Sequence, residues 1–120
     1  MTCILVVEDE SDIREMLVEV LRDEGFQIIE AATADAAVEL LDLATLGLVV
    51  TDINLPGRRD GIDLALAARR AHPGIPVVFM SGKPMKLAQA QTLSNPAAFL
   101  QKPFSFRALV GAVERLSEVT

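Results

Sequence analysis

The chain has 120 residues, of which 51% are hydrophobic, and a formal net charge of −6. No apolar stretch approaches the ~20 residues that cross a bilayer, the start lacks a signal-peptide pattern, and the single cysteine rules out an internal disulfide. The acidic balance weighs against direct binding to nucleic acid, so we expect one cytoplasmic domain, residues 1–120, that binds neither nucleic acid nor membranes.

Short apolar segments and amphipathic segments alternate along the chain. Cys3–Val7 is an apolar run too short for a helix and rich in β-branched residues, which predicts a buried strand. From Ser11 to Asp23 apolar residues recur at helical spacing, and Gly25 follows where a helix C-terminus favours glycine. The same patterns predict further strands at 26–31, 47–52, 76–80 and 97–101 and helices at 35–43, 62–71 and 106–116.

The segment 81–96 is the least defined part of the pattern. Residues 85–93 have the length of a short helix, but few of them are apolar, and Pro84 and Pro96 bracket them. We therefore predict a short, weakly stabilised fourth helix between the fourth and fifth strands.

Strands that are apolar on both sides and alternate with helices predict a parallel sheet with helices on both faces. In such sheets, ligands bind beyond the carboxyl ends of the strands. Polar residues stand at those ends in four places, namely Glu8-Asp9, Asp52, Ser81 and Lys102. We therefore expect these side chains to meet at one edge of the sheet.

The carboxylates of this set predict a metal site. Carboxylates held together repel one another and raise one another's pKa unless a cation neutralises them. Mg²⁺ prefers oxygen ligands of this kind. The predicted ligands are Asp9 and Asp52, with Glu8 close by or acting through water and with the backbone carbonyl of Asn54.

The same set predicts phosphoryl transfer. A metal ion at Asp52 lowers the charge barrier to an incoming phosphoryl group, so Asp52 is the predicted nucleophile, a carboxylate that forms an acyl phosphate. The Ser81 hydroxyl and the Lys102 ammonium can hold the remaining phosphoryl oxygens, because such transfer depends mainly on positioning and charge stabilisation.

Each of these residues has a simpler explanation when it is taken alone. An aspartate after a strand commonly caps the next helix, which by itself is the favoured explanation for Asp9. That explanation is weak for Asp52, because the next predicted helix begins only after the Pro-Gly pair at 56–57. Ser81 fits an ordinary turn, and Lys102 fits an ordinary solvated loop. Their coincidence at one sheet edge favours the phosphoryl site.

The chain resembles the receiver domains of two-component response regulators over essentially its whole length. The motifs that carry the resemblance are VVEDE at 6–10, TDINLPG at 51–57, FMSG at 79–82 and FLQKPF at 99–104. The resemblance implies a flavodoxin-like (receiver) fold, an α/β architecture with five parallel strands in the order 2-1-3-4-5.

The resemblance also implies roles for individual residues. Asp52 would accept a phosphoryl group from a histidine kinase or a histidine phosphotransfer protein, with Mg²⁺ as the cofactor. Ser81 and Lys102 would sense that group, and Phe99 would be an aromatic switch that moves inward with Ser81. The Lys102–Pro103 bond would be cis. The implied metal ligands are Glu8, Asp9, Asp52 and the Asn54 carbonyl.

Three features qualify the resemblance. The loop from Pro56 to Gly61 has one residue more than the commoner family form, so we expect a reshaped start to the third helix. Phe99 has no hydroxyl, so any switch must act by packing. Lys83 lies two residues past Ser81 at the mouth of the predicted site, and we hypothesise that it modulates the lifetime of the phosphorylated state.

The expected output is a protein contact controlled by phosphorylation. No segment follows the last predicted helix, which predicts a stand-alone receiver without an effector domain. The expected contact surface combines helix 4, strand 5 and helix 5, because switching elements come from the less stable parts of a fold. We expect the chain to catalyse only its own phosphorylation and dephosphorylation, and not to be an enzyme acting on other substrates.

Four alternatives remain open. The chain could be a receiver fragment of a larger regulator or kinase, or a degenerate receiver that acts as a constitutive adaptor. A haloacid-dehalogenase-like phosphatase is disfavoured, because those enzymes place the nucleophile on the first strand. A flavin-binding flavodoxin-like module is disfavoured, because the sequence EDES after the first strand is not a phosphate-cradling loop.

Overall fold

The computed structural model describes residues 3–43, 45–93 and 95–117. The ends of the predicted domain, 1–2 and 118–120, lie outside the described residues, as does residue 94 of the weakly defined segment 81–96. All the candidate site residues fall within the described ranges.

The core of the fold is a parallel sheet of five strands in the order β2-β1-β3-β4-β5. Every residue of β1 and of β4 is buried, whereas the edge strands β2 and β5 have exposed positions. This explains why the central strands are continuous apolar runs. The predicted α/β fold and strand order are confirmed. The strands are β1 Cys3–Val7, β2 Gln27–Ala31, β3 Leu46–Asp52, β4 Val77–Ser81 and β5 Ala97–Gln101.

Five helices connect the strands and cover both faces of the sheet. Helices α1 and α5 pack with one apolar cluster, and α2, α3 and α4 pack with the other. The longest described helix has 13 residues, and none of the described helices is both long and apolar enough to cross a bilayer. The helices are α1 Ser11–Asp23, α2 Ala34–Val38, α3 Gly61–Ala71, α4 Pro84–Ala90 and α5 Phe106–Ser117.

Helix α2 is shorter than the predicted 35–43. It starts where the Thr33 side chain accepts a hydrogen bond from the amide of Ala36 at 3.1 Å, and it ends at Val38. The next amides bond three residues back, as in the 2.9 Å bond from Leu40 to the carbonyl of Ala37. The chain therefore tightens into turns after one and a half helical turns. Helix α4 is short, as predicted.

Helix α3 has a defined start despite the longer loop that precedes it. The Asp60 side chain accepts hydrogen bonds from the amides of Ile62 and Asp63, both at 2.9 Å. The Asp63 side chain in turn accepts from the amide of Asp60 at 3.0 Å, which completes a capping box. Asp60, and not Asp52, therefore caps this helix.

The Lys102–Pro103 bond is cis, as predicted.

Arg69 fastens α3 to the loops that enter β4 and β5. Its Nη2 donates to the carbonyl of Pro96 at 2.8 Å, and its Nε donates to the carbonyl of Ile75 at 3.3 Å. The guanidinium is half-buried, and burial lowers its pKa. Of the neighbouring arginines 69 and 70, only Arg70 is exposed.

Replacement of Arg69 is expected to destabilise the fold. Arg69→Ala leaves two backbone carbonyls without their charged donor, so we expect a loss of about 2 kcal/mol in the free energy of unfolding. Urea unfolding monitored by far-UV circular dichroism measures it. Arg70→Ala is the matched control, and its effect should stay within about 0.5 kcal/mol. Equal stability losses in the two variants would contradict the anchoring role of Arg69.

Candidate functional site

The carboxyl ends of β1 and β3 lie side by side and bring three carboxylates together. Val7 pairs with Thr51 in the sheet, so the residues that follow them, Glu8 and Asp52, lie side by side. Carboxylate oxygens of Glu8, Asp9 and Asp52 lie within 4.8 Å of one another. Glu8 is fully buried and Asp52 is 6% exposed, whereas Asp9 is exposed. The predicted acidic cluster is therefore present.

Lys102 reaches from the end of β5 into this cluster. Its Nζ lies 2.8 Å from Asp52 Oδ2 and 3.0 Å from Glu8 Oε1. The backbone also brings Lys102 inward, because its amide donates to the carbonyl of Ser81 at 2.8 Å. Lys102 is therefore not the solvated loop residue of the simpler explanation.

Burial and mutual proximity shift the pKa values of two of these groups. Burial raises the pKa of Glu8, and the neighbouring Asp9 and Asp52 raise it further, although the hydrogen bond from Lys102 lowers it. Burial alone would lower the pKa of Lys102, but its hydrogen bonds to Asp52 and Glu8 raise it above its usual value. Lys102 is therefore an ammonium at neutral pH. The ionised form of Glu8 is disfavoured by its burial.

Ser81 and Asn54 form a second polar group next to Asp52. The Asn54 amide donates to Asp52 Oδ1 at 3.0 Å. The Ser81 hydroxyl donates to Asn54 Oδ1 at 2.9 Å and accepts from the amide of Lys83 at 3.0 Å. Ser81 is fully buried. Sequence reasoning selected Asn54 for its backbone carbonyl only, and the contact between its side chain and Ser81 was not predicted.

The two remaining predicted residues lie at the margin of this site. Phe99 is half-buried, and its ring stacks on that of Phe79 at a centroid distance of 5.6 Å and an interplanar angle of 11°. Lys83 has an exposed side chain and stands at the N-cap of α4, with no side-chain cap hydrogen bond. Neither position tests the switching or modulating role that the sequence predicts.

Arg14 supports the acidic cluster and was missed by the sequence analysis. Its Nη1 donates to the main-chain carbonyl of Glu8 at 2.8 Å, and its Nε donates to Glu30 Oε1 at 3.1 Å. It therefore ties α1 to the ends of β1 and β2. The N-cap of α1 is Glu10, and no side chain caps it. Asp9 is accordingly not the helix cap that its position alone would favour.

The donor set fits a hard divalent cation. Three carboxylates facing one ammonium leave an excess of two negative charges. The pKa of Glu8 is raised first by burial and then by the neighbouring Asp9 and Asp52. The donors are all oxygens, as Mg²⁺ prefers. The side chains of Glu8, Asp9 and Asp52 can therefore hold Mg²⁺.

Known proteins of similar sequence and structure indicate the family of this chain. The sequence model of the response regulator receiver domain matches residues 4–114. The transcriptional regulatory protein PdtaR of Mycobacterium tuberculosis (strain ATCC 25618 / H37Rv) is 39% identical over 98% of this chain. The response regulator receiver protein CpdR of Brucella abortus (strain 2308) is 32% identical over 94% of this chain. The crystal structure of the receiver domain of NtrX from Brucella abortus superposes with a TM-score of 0.88 at 36% identity, covering 98% of this chain and 99% of that one.

The relatives differ in how much of their own length this chain spans. It covers 59% of PdtaR and 94% of CpdR. The matched region of PdtaR is therefore only part of that protein, whereas CpdR is matched over nearly all of its length.

Proposed function

The chain belongs to the response regulator receiver domain family, and on that premise we propose that Asp52 accepts a phosphoryl group from the histidine of a kinase or phosphotransfer protein. Receiver domains of two-component systems act in phosphorylation-dependent signalling, and this one has the acidic cluster that such chemistry needs. The donor, the downstream partner and the role of each residue are parts of the proposal.

Asp52 carries the proposal because of the groups that surround it. It lies at the end of a buried central strand, in contact with an ammonium through Oδ2 and with a backbone amide through Oδ1. It caps no helix. A carboxylate beside an ammonium is suited to accept a phosphoryl group, because the Lys102 ammonium stabilises the charge of the product, while Glu8 and Asp9 are placed to hold a cation.

The proposed reaction is an in-line displacement at phosphorus. A carboxylate oxygen of Asp52 attacks the phosphoryl group, and the new O–P bond forms as the P–N bond to the donor imidazole breaks. The electron pair of the broken bond stays on the ring nitrogen. Lys102, already at 2.8 Å from Asp52, donates to a phosphoryl oxygen of the product. The chain thus promotes its own modification, and we propose no separate substrate.

Glu8, Asp9, Asp52 and the Asn54 carbonyl are the proposed Mg²⁺ ligands. When bound, Mg²⁺ supplies positive charge that offsets the repulsion between these carboxylates and an incoming phosphoryl group. The residues of the chain orient the acceptor, and the burial of Glu8 and Asp52 limits the access of water to them.

An apolar groove beside Lys102 supports a protein as the phosphoryl donor. The groove has a volume of about 450 Å³ and runs between α1 and the segment after β5. Met16 is 49% exposed and Phe106 is 42% exposed at its rim. A helix of the donor protein could bury these side chains while presenting its histidine to Asp52.

The proposed output surface combines α4, β5 and α5. Ser81 is the last residue of β4, three positions before α4 begins, and Phe99 on β5 stacks against Phe79. A phosphoryl group that recruits the Ser81 hydroxyl would therefore act on both elements. Because Phe99 has no hydroxyl, the change is one of packing, read by a downstream protein.

Phosphorylation by a small donor tests this function directly. The protein is incubated with acetyl phosphate and Mg²⁺, and its intact mass is measured. The expected result is the addition of one phosphoryl group that requires Mg²⁺ and is absent in Asp52→Asn. Asp12→Asn, at an exposed position of α1, is the control and should be modified like the parent. No mass gain from acetyl phosphate or from any partner kinase would favour the adaptor alternative.

Lys83 is expected to prolong the phosphorylated state. Its exposed ammonium lies at the start of α4, two residues from Ser81, where it can attract the phosphoryl anion and obstruct attacking water. Lys83→Ala should speed the loss of the phosphoryl group about two- to fivefold, the size of an exposed charge interaction. Following ³²P release measures this, with Lys86→Ala as the charge-matched control. Equal rates for Lys83→Ala and the parent would end the hypothesis.

A further inference from the structure

The hydroxyl of Ser81 has only one hydrogen, and that hydrogen is in use. A serine hydroxyl can donate one hydrogen bond at a time. In this structure the hydroxyl donates to Asn54 Oδ1 at 2.9 Å, and the other acceptor within reach, the carbonyl of Lys83, is more distant at 3.5 Å. The hydroxyl oxygen accepts from the amide of Lys83 at 3.0 Å. Because Ser81 is fully buried, water cannot readily replace either partner. The hydroxyl must therefore leave Asn54 before it can donate to a phosphoryl group on Asp52.

Asn54 is well placed to hold that hydroxyl. Its backbone amide bonds Asp52 Oδ1 at 3.0 Å, which fixes the residue beside the phosphoryl acceptor, and its side chain reaches the end of β4. The backbone amide of Asn54 therefore binds Asp52, and its side-chain oxygen binds the Ser81 hydroxyl. A substitution of the side chain leaves the backbone contact in place.

We propose that the Asn54 side chain is a positioning residue that holds the Ser81 hydroxyl in the unphosphorylated protein and so sets the cost of switching. The proposal rests on Asp52 being the phosphoryl acceptor, as proposed above. Phosphorylation exchanges the Ser81–Asn54 bond for a bond from Ser81 to a phosphoryl oxygen. Removal of the Asn54 side-chain amide eliminates the first bond, so that forming the second bond costs less free energy.

This holding role and a purely structural role of Asn54 predict opposite changes in affinity for a phosphoryl analogue. Asn54→Ala should bind a phosphoryl analogue more tightly than the parent, because the hydroxyl then gives up only the long 3.5 Å contact to the carbonyl of Lys83 and not the 2.9 Å bond to Asn54. The gain expected from one released hydrogen bond is about fivefold in affinity. A purely structural role for Asn54 would give weaker binding, since the site would be less ordered.

Beryllium fluoride with Mg²⁺ is a suitable probe, because it adds to an aspartate carboxylate as a phosphoryl analogue. Four proteins are titrated: the parent, Asn54→Ala, Ser81→Ala and the double variant. The expected result is about fivefold tighter binding for Asn54→Ala than for the parent, and equal binding by Ser81→Ala and the double variant. The Ser81→Ala background is the control, because it has no hydroxyl to release.

Two results would overturn the inference. One is equal or weaker binding by Asn54→Ala in a protein that melts like the parent. The other is the same gain in the Ser81→Ala background, which would mean that Asn54 acts on Asp52 and not through Ser81.

If the parent binds no beryllium fluoride, that result counts against the proposed function of Asp52 and not against the role of Asn54. A second measurement then tests the role of Asn54. Amide hydrogen exchange is then compared in the unliganded proteins. Asn54→Ala should speed exchange at the Lys83 amide severalfold, because that amide donates to the released Ser81 oxygen. Unchanged exchange at Lys83 would contradict the holding role of Asn54.

Discussion

Gly61→Ala is expected to lower the free energy of unfolding by about 3 kcal/mol and to slow the phosphorylation of Asp52 at least ~10-fold. A Cβ at position 61 would lie 2.3 Å from the carbonyl oxygen of Asp52 and 2.8 Å from the Cα of Ile53. Both atoms belong to the backbone at the end of β3, so no side-chain rotation relieves the contact. Either α3 moves away or the end of β3 moves, and Asp52 moves with it.

The two parts of this prediction have different measurements. Urea unfolding reports the loss of stability, and the rate of mass gain with acetyl phosphate reports the displacement of Asp52. Gly111→Ala is the matched control, because a Cβ there meets nothing within 4 Å. It lies in α5 and should stabilise the protein by about 0.5–1 kcal/mol. A Gly61→Ala protein with the stability and the phosphorylation rate of the parent would contradict the close approach of α3 to Asp52.

Glu8→Gln is expected to stabilise the metal-free protein at neutral pH by about 1–2 kcal/mol, because it removes a fully buried charge from a crowded acidic site. Asp52 still pairs with Lys102 at 2.8 Å in that variant. The same substitution should impair Mg²⁺ binding. Mg²⁺ at about 100 times the dissociation constant of the parent should add about 2.7 kcal/mol to the parent and much less to the variant.

The gain from Glu8→Gln should depend on pH in a definite direction. Burial raises the pKa of Glu8 above its ordinary 4.5, so the folded chain binds more protons than the unfolded chain between these two values. The contribution of Glu8 to stability therefore falls as the pH rises through that window. The variant should gain nothing below pH 4.5 and its full advantage above the folded pKa.

Thermal unfolding at several pH values, with and without Mg²⁺, measures both effects. Glu10→Gln is the control, because its side chain is exposed and its amide remains available to Glu8. A Glu8→Gln protein that is less stable than the parent at neutral pH without Mg²⁺ would show that the charge of Glu8 supports the fold.

The sheet and the meeting of the polar residues were predictable from the sequence because both follow from local patterns. Short apolar runs such as Cys3–Val7 are typical of strands buried on both faces, and the parallel order puts their carboxyl ends at one edge. Glu8, Asp52 and Lys102 meet there as predicted. The switching roles of Ser81 and Phe99 came only with the family resemblance and stay predictions.

The contacts that the sequence did not predict join residues without a local pattern. Asn54 reaches Ser81 across 27 positions, and Arg69 reaches Pro96 across another 27. Neither contact has a spacing or residue type that distinguishes it from an exposed polar side chain. The early end of α2 was missed for a different reason. The apolar residues Leu40 and Leu41 continue the helical spacing, although they lie in turns against the core.

Chemical identification of the phosphorylated residue tests the central claim most directly. Borohydride reduces an aspartyl phosphate to homoserine, so the protein treated with acetyl phosphate and Mg²⁺ is reduced, digested and sequenced by mass spectrometry. The predicted result is homoserine at position 52 alone, in proportion to the phosphorylated fraction. Homoserine at position 9, or a phosphorylated protein that retains aspartate at position 52, would contradict Asp52 as the acceptor.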